Sequence, residues 1–245
     1  MAAYIDATLG WDFDSYDALQ AVFAQYMPNW APPARSYSPA ILSNETSALV
    51  HVVDTPELFG GELRILAAVD FVDGKIVRWV DYWDAAPFDS ELYNQFRTPV
   101  ANFPTDLKDS AVPTQAAPEL IAVATELQRA FALTDAAAEL MHTDVVVDGT
   151  SMRTHVIGRT ETTKYLDRVL GDVPYGGSSA LRHVVGGAQG GAFEWTAGPG
   201  HNMLVGITAL ELDPNGLITK VTSVYDSRQL THEQKAALAG AAIAP

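Results

Sequence analysis

Residues Asp73–Asp84 read DGKIVRWVDYWD, an Asp-Gly turn followed by apolar and aromatic residues with carboxylates among them. Along a strand, alternate side chains share a face. Val77, Trp79, Asp81 and Trp83 therefore fall on one side, and Ile76, Arg78, Val80, Tyr82 and Asp84 on the other. If the first side lines a cavity, Asp81 is a lone ionisable group between two indoles. Desolvation disfavours its charged form, raises its pKa and leaves it able to carry a proton near neutral pH. The opposite parity turns Arg78 inward with no evident partner, which costs more. An Asp81 that only hydrogen-bonds within the fold, or one that is exposed, is the plainer alternative.

A second pair stands near the N-terminus. Tyr4 and Asp6, in AYIDATLGWD, are two residues apart and share a face by the same rule. Asp6 also precedes a turn, where a carboxylate often serves as a local cap.

The elements that must carry these residues come in two similar sets. Around the proline-rich stretch Thr98–Pro118 the same order of signals repeats, offset by about 145 residues. The four prolines of that stretch remove backbone donors and hold it away from helix and sheet. Helix-like runs lie at Phe13–Met27 and in GRTETTKYLDRVL, with N-cap candidates Asp12 or Asp14 and Thr160. Period-2 segments LVHVV, ELRILAAVDFV and KIVRWVDYW precede the linker; ALRHVVGG, GAFEWTA, NMLVGITALEL and ITKVTSVYD follow it. Asp73-Gly74 and Asn215-Gly216 read as hairpin turns in which both central residues take positive φ. The expected division is a first domain at 1–97, a linker at 98–118 and a second domain at 119–245. The second opens with PELIAVATELQRAFALTDAAAELMH, for which the first has no counterpart, so a leading helix is expected to be missing there or to lie upstream. The run His232–Ala244 is expected to be a helix, with the option of covering an open sheet elsewhere.

Composition excludes several classes. Hydrophobic residues make up 48% and charged residues 18%, enough for a sizeable core. A net charge of −15 argues against nucleic acid and anionic membrane surfaces, which need a basic stripe. Cysteine is absent, which suits a cytoplasmic location and removes thiolate chemistry. GGAQGG (Gly186–Gly191) precedes a strand, not a helix, so it reads as a hairpin turn and not a phosphate cradle.

A curved antiparallel sheet with helices, ending in D-G-K-I-x-x-W-x-D-Y-x-D, resembles the nuclear transport factor 2 superfamily and, within it, the SnoaL-like branch of polyketide cyclases and relatives of limonene epoxide hydrolase and ketosteroid isomerase. DGKIVRWVDYWDAAPF resembles the family's last strand, with an acid at Asp81 and a pocket aromatic at Phe88. AYIDATLGWD resembles the first strand, and ELRILAAV a wall strand whose Leu63, Ile65 and Ala67 line the cavity. The resemblance implies two tandem cystatin-like α+β cone domains, arranged as an intrachain pseudodimer because relatives often pair through their sheets. It also implies that Tyr4, Asp6 and Asp81 look into one cavity. Asp6 and Asp81 would then titrate as a coupled pair, with Tyr4 positioning a water or an oxyanion.

The implied function is acid–base chemistry on a hydrophobic small molecule: cyclisation, isomerisation, hydration, dehydration or ring opening, with no metal or organic cofactor. Asp81, Asp6, Tyr4 and His51 are the catalytic candidates; Trp79, Trp83, Leu63, Ile65 and Phe88 are the walls. The acid–arginine–acid relay of limonene epoxide hydrolase lacks its arginine here, since LVHVVDTP offers His51 and Asp54 instead, with His51 a possible base. A protein that only binds an apolar ligand, and one that uses the fold to dimerise, are the other readings. In the second half Val221, Ser223 and Tyr225 replace Trp79, Asp81 and Trp83, so the acid is lost. Arg182, His183, Glu194, Trp195 and His201 leave a second active site open.

Overall fold

In the computed structural model, residues 3–201 and 205–243 are described, and the same architecture occurs twice. The first half runs β1 (Ala3–Asp6), β2 (Trp11–Phe13), α1 (Tyr16–Tyr26), β3 (Ser36–Ser43), β4 (Ser47–Asp54), α2 (Pro56–Phe59), β5 (Leu63–Val72), β6 (Lys75–Trp83) and α3 (Ser90–Phe96). The second runs α4 (Pro118–Ala130), α5 (Thr134–Glu139), β7 (Met141–Gly149), β8 (Thr154–Ile157), α6 (Arg159–Val169), β9 (Ala180–Gly187), β10 (Gly190–Thr196), β11 (Val205–Leu212), β12 (Ile218–Val224) and α7 (His232–Ile243). The sheet orders are β2-β1-β6-β5-β4-β3 and β8-β7-β12-β11-β10-β9, the same topology twice. In each, the first strand lies parallel to the last and every other pairing is antiparallel. These are two tandem α+β cones, as the repeat implied.

Local chemistry accounts for most element ends. Ser15, not Asp12 or Asp14, caps α1, accepting from the Ala18 backbone N–H. Gly158, not Thr160, occupies the cap position of α6. Asp73 and Gly74 take φ of 50° and 70°, the twist that a two-residue hairpin needs. At Asn215-Gly216 only the glycine takes positive φ. The chain there closes a longer loop on Asp213, whose carboxylate accepts from the Asn215 and Leu217 N–H groups. Of the strand expected at NMLVGITALEL, residues 202–204 lie outside the described residues, as does Ala244 of the C-terminal run.

The two sheets pack back to back. Leu49, Leu66, Ala68, Val80 and Tyr82 of the first meet Val185, Ala192, Ile207, Ala209 and Val224 of the second in one buried cluster. This corrects the expectation that the Arg78 face would be costly inside: both faces of β6 are buried, and Arg78 has partners. Its guanidinium donates to both Glu194 oxygens at 2.7 and 2.8 Å, to Asp70 at 3.1 Å and to the Leu107 carbonyl at 2.7 Å. Burial alone would lower the Arg78 pKa, and Glu194, Tyr82 and Asp70 together more than offset that. His183 bonds the other Asp70 oxygen at 2.8 Å. The His183–Glu194 couple, a candidate second active site by sequence, is thus committed to holding the halves together.

The proline-rich segment is part of this junction. Leu107 is buried, Asp109 pairs with Arg182 at 2.9 Å, and the Ala117 N–H bonds the Gly186 carbonyl. The C-terminal helix α7 packs on its own half, with Leu238 in the second core and the Ala241 carbonyl bonded by Arg168. It covers no sheet of the first half.

Candidate active site

β1 and β6 run parallel with Tyr4 opposite Trp79 and Asp6 opposite Asp81. In register on adjacent strands, about 4.8 Å apart, both carboxylates point to the same face. That face is the concave side of the first sheet, and it floors a cavity of about 770 Å³. Tyr4, Asp6, Asp81, Trp79, Trp83, Leu63, Ile65 and Phe88 all line it, so eight of the nine expected site residues converge.

His51 is the exception among these nine, and Ala67, the third expected wall residue of β5, also lies outside the lining, buried with Ala48, Val50 and Val69. β4 alternates like any strand, and His51 lies on the face opposite Val52 and Asp54. It lines a separate cleft of about 830 Å³ with Asp148 and Lys220. Burial, then the Lys220 charge, hold its pKa below the usual histidine value. The same alternation places Asp54 in the Asp81 cavity instead. Alternation sets Asp54 on the same face as Val52, and only the packing of β4 shows that this face looks into the cavity.

Asp81 is buried, with its Oδ2 accepting from the Tyr4 hydroxyl at 2.6 Å and its Oδ1 from the Trp79 indole N–H at 2.6 Å. Burial pushes its pKa up, the two hydrogen bonds oppose that, and the Asp6 charge adds to the rise, to about 7. Asp6 is also buried. Its Oδ1 accepts from the Thr8 and Leu9 N–H groups and its Oδ2 from the Trp83 indole N–H at 3.0 Å. It is therefore both a turn cap and a cavity group. Burial raises its pKa to about 6 against the lowering by those three donors. The two carboxyls titrate as a coupled pair, and the Asp6 charge helps to hold a proton on Asp81. Burial, and then the charges of Asp81 and Asp6, keep Tyr4 well above the usual phenol value, so its hydroxyl remains a donor. Burial likewise raises Asp54, opposed by the Ser36 hydroxyl.

The cavity is roofed rather than filled. α1 contributes Val22, Phe23 and Tyr26, yet none of its residues is buried. Trp30 follows it, edge-on to Phe23 and to Phe59 of α2, and Phe96 of α3 meets Tyr26 and Trp11. Sequence reasoning missed these roof aromatics, because nothing local says which face of a short helix looks over a hollow. Among the described residues, no three His, Cys, Asp or Glu side chains converge as a metal-ligand set.

The corresponding face of the second half is solid. Ser223 bonds Thr208 at 3.0 Å, and Thr208 accepts from the Trp195 indole N–H. The rings of Tyr175, Trp195 and Tyr225 meet one another there at tilted and edge-on angles, and Leu120, Leu127, Tyr165 and Val169 from α4 and α6 complete the core.

No protein-family model matches the chain, and no curated protein matches it. Solved structures do. A steroid delta-isomerase from Pseudomonas aeruginosa is 17% identical, with 53% of this chain and 92% of that one covered and a TM-score of 0.41. A SnoaL-like protein from Burkholderia thailandensis is 13% identical, covering 47% of this chain and all of that one, with a TM-score of 0.39. An NTF2-like protein from Burkholderia xenovorans is 15% identical, covering 48% and 91%, with a TM-score of 0.36. Each spans about one cone's length of this chain. The resemblance to the SnoaL-like and nuclear transport factor 2-like proteins stands as a likeness of fold, and the strand order given above is what establishes that fold.

Proposed function

We propose that the first half is an enzyme that moves protons on a hydrophobic small molecule, with Asp81 as acid and base. The observation that carries this reading is the carboxyl group of Asp81, buried beneath a roofed cavity and poised to titrate at about 7. A group whose pKa lies near the working pH can both give and take a proton, which contributes roughly 10²–10⁴-fold in rate. When Asp81 is protonated and donates to the Tyr4 oxygen, the Tyr4 hydroxyl proton is free to stabilise oxyanion character on the substrate. The Asp6 charge raises the Asp81 pKa. The indoles and Phe88 hold an apolar ring system over the acid. Isomerisation, cyclisation, hydration and ring opening all fit this machinery, and none needs His51, which lies on the other face of its strand.

The test is turnover of a panel of cyclic enones, polyketones and epoxides, read by mass spectrometry and by deuterium uptake from solvent. Asp81→Asn is expected to lose roughly 10²–10⁴-fold on any substrate found, and Ser223→Ala to stay within a few-fold. Equal activity of Asp81→Asn and wild type would end the proposal. A second reading, binding without turnover, is favoured by the fact that both Asp81 oxygens already accept hydrogen bonds.

A further inference from the structure

Acids and aromatic rings line the cavity together, and no cation answers the acids. Asp6 and Tyr4 face it from β1, Asp54 from β4, Asp81 from β6, Tyr26 from α1 and Asp89 from the start of α3. β5 and α2 contribute only apolar side chains and Gly60. Among the described residues lining it there is no lysine, arginine or histidine. At the junction of the halves buried acids have basic partners, Asp70 with Arg78 and His183 and Glu194 with Arg78, while buried Asp84 and Asp226 are held by hydroxyl, amide and backbone N–H donors. Those that perturb the cavity acids are other acids: Asp6 and Asp54 act on Asp81, and Asp226 on Asp6.

We infer that the ligand brings the missing charge: the cavity takes a bulky hydrophobic organic cation, a tertiary or quaternary amine carrying an apolar ring system. The inference rests on reading this cavity as the substrate site. Ten aromatic side chains line it, and their faces attract a weakly hydrated ammonium within about 6 Å, by roughly 0.5–2 kcal/mol per favourable ring. A compact, strongly hydrated cation would lose its water shell to indole and phenyl walls with no compensating oxygen cage, so alkylated nitrogen fits better than a metal ion or a bare ammonium. Asp81, Asp6 and Asp54 then supply the counter-charge on the floor and one wall, and the rings supply the rest.

Proton linkage follows from this arrangement. A cation favours ionised Asp6 and Asp81, so it binds more tightly as pH rises through about 6 and about 7, and it expels protons when it binds within or just below that range.

The test uses the full chain and three probes of one shape: benzyltrimethylammonium, its neutral carbon isostere neopentylbenzene, and benzylsulfonate. Binding is followed by tryptophan fluorescence and by calorimetry in buffers of different ionisation enthalpy. The ammonium is expected to bind at least about tenfold more tightly at pH 8 than at pH 5.5, with proton release at pH 6.5. The neutral isostere is expected to bind with no pH dependence, and the sulfonate not to bind. Asp81→Asn and Asp54→Asn should each weaken the ammonium and leave the isostere unchanged. Equal binding of ammonium and isostere across this pH range would overturn the inference. It would leave the proton-transfer reading intact, since that is judged on turnover by Asp81→Asn. Ammonium selectivity combined with full turnover by Asp81→Asn would leave the cation site standing and remove the proton-transfer role.

Discussion

The two halves share their convex faces and differ on their concave ones. Back to back, β4, β5 and β6 meet β9, β10, β11 and β12 through small and branched apolar residues closed by the Arg78–Glu194–Asp70–His183 network. On the concave side the second half brings α4, α5 and α6 down onto the sheet and fills the space with Tyr175, Trp195 and Tyr225. Among its described residues the first half has no counterpart of α4 and α5, and its α1 stands over the sheet without burying a residue. The difference lies in what meets each described sheet: helices that bury side chains on it in the second half, and an α1 that stands over it in the first. It also explains where the acids are. A carboxylate is tolerated beneath a roofed hollow, where the ligand space relieves it, and is replaced by Ser223 where the core is solid.

The sharpest way to break this comparison is to put the acid where the core is full. Ser223→Asp is expected to cost about 5 kcal/mol at pH 8, because a carboxylate there has neither space nor a cation. Urea unfolding followed by circular dichroism measures this, and a tolerated substitution would mean that the second concave face is not solid. Next comes the shared face. Glu194→Leu strands the Arg78 charge with Asp70 as its remaining acid and is expected to cost about 3–5 kcal/mol, by the same measurement. A cost below about 1 kcal/mol would show that the halves do not depend on this pair.

The smallest effect runs the other way, as a gain. Asp6 and Asp81 have folded pKa values of about 6 and about 7 against an ordinary 3.8. The folded state therefore binds more protons than the unfolded one between those limits. Their contribution to stability is fully present below about pH 4 and is lost as pH rises through about 6 and about 7. Asp81→Asn removes the larger part of this pH dependence. Its amide oxygen can take the Trp79 indole N–H while its NH₂ donates to the Tyr4 oxygen, and the Tyr4 hydroxyl proton then turns to the cavity. The variant should be more stable than wild type at pH 8, by at most about 4 kcal/mol, and indistinguishable at pH 4. Thermal melts at the two pH values decide it; a variant equally affected at both would mean that Asp81 titrates normally.

Much of the site was legible because strands report their faces. Period-2 alternation in KIVRWVDYW separated Asp81 and its indoles from Arg78 and Tyr82, and the structure keeps that division. The same rule, applied to LVHVVDTP, puts His51 and Asp54 on opposite faces, but both faces are apolar, so only the packing decides which looks into the cavity. The partner of Arg78 was not legible, because Glu194 lies on a strand of the other half and no periodicity links the two. The roof was not legible either: Phe23, Tyr26 and Trp30 look like ordinary helix and loop aromatics until α1 is seen over the sheet.

By itself the chain's order of residues determined the duplication, the identity of most strands and the parity that isolates Asp81, since these depend on local spacing and on turn chemistry a few residues long. Tertiary structure alone decided that β1 lies beside β6, that the Arg78 face is closed by the second half, and that one concave face is hollow while the other is solid. Those outcomes depend on which distant segments compete for the same apolar surface. Desolvation, the cause of the Asp81 shift, exists only once that competition is settled.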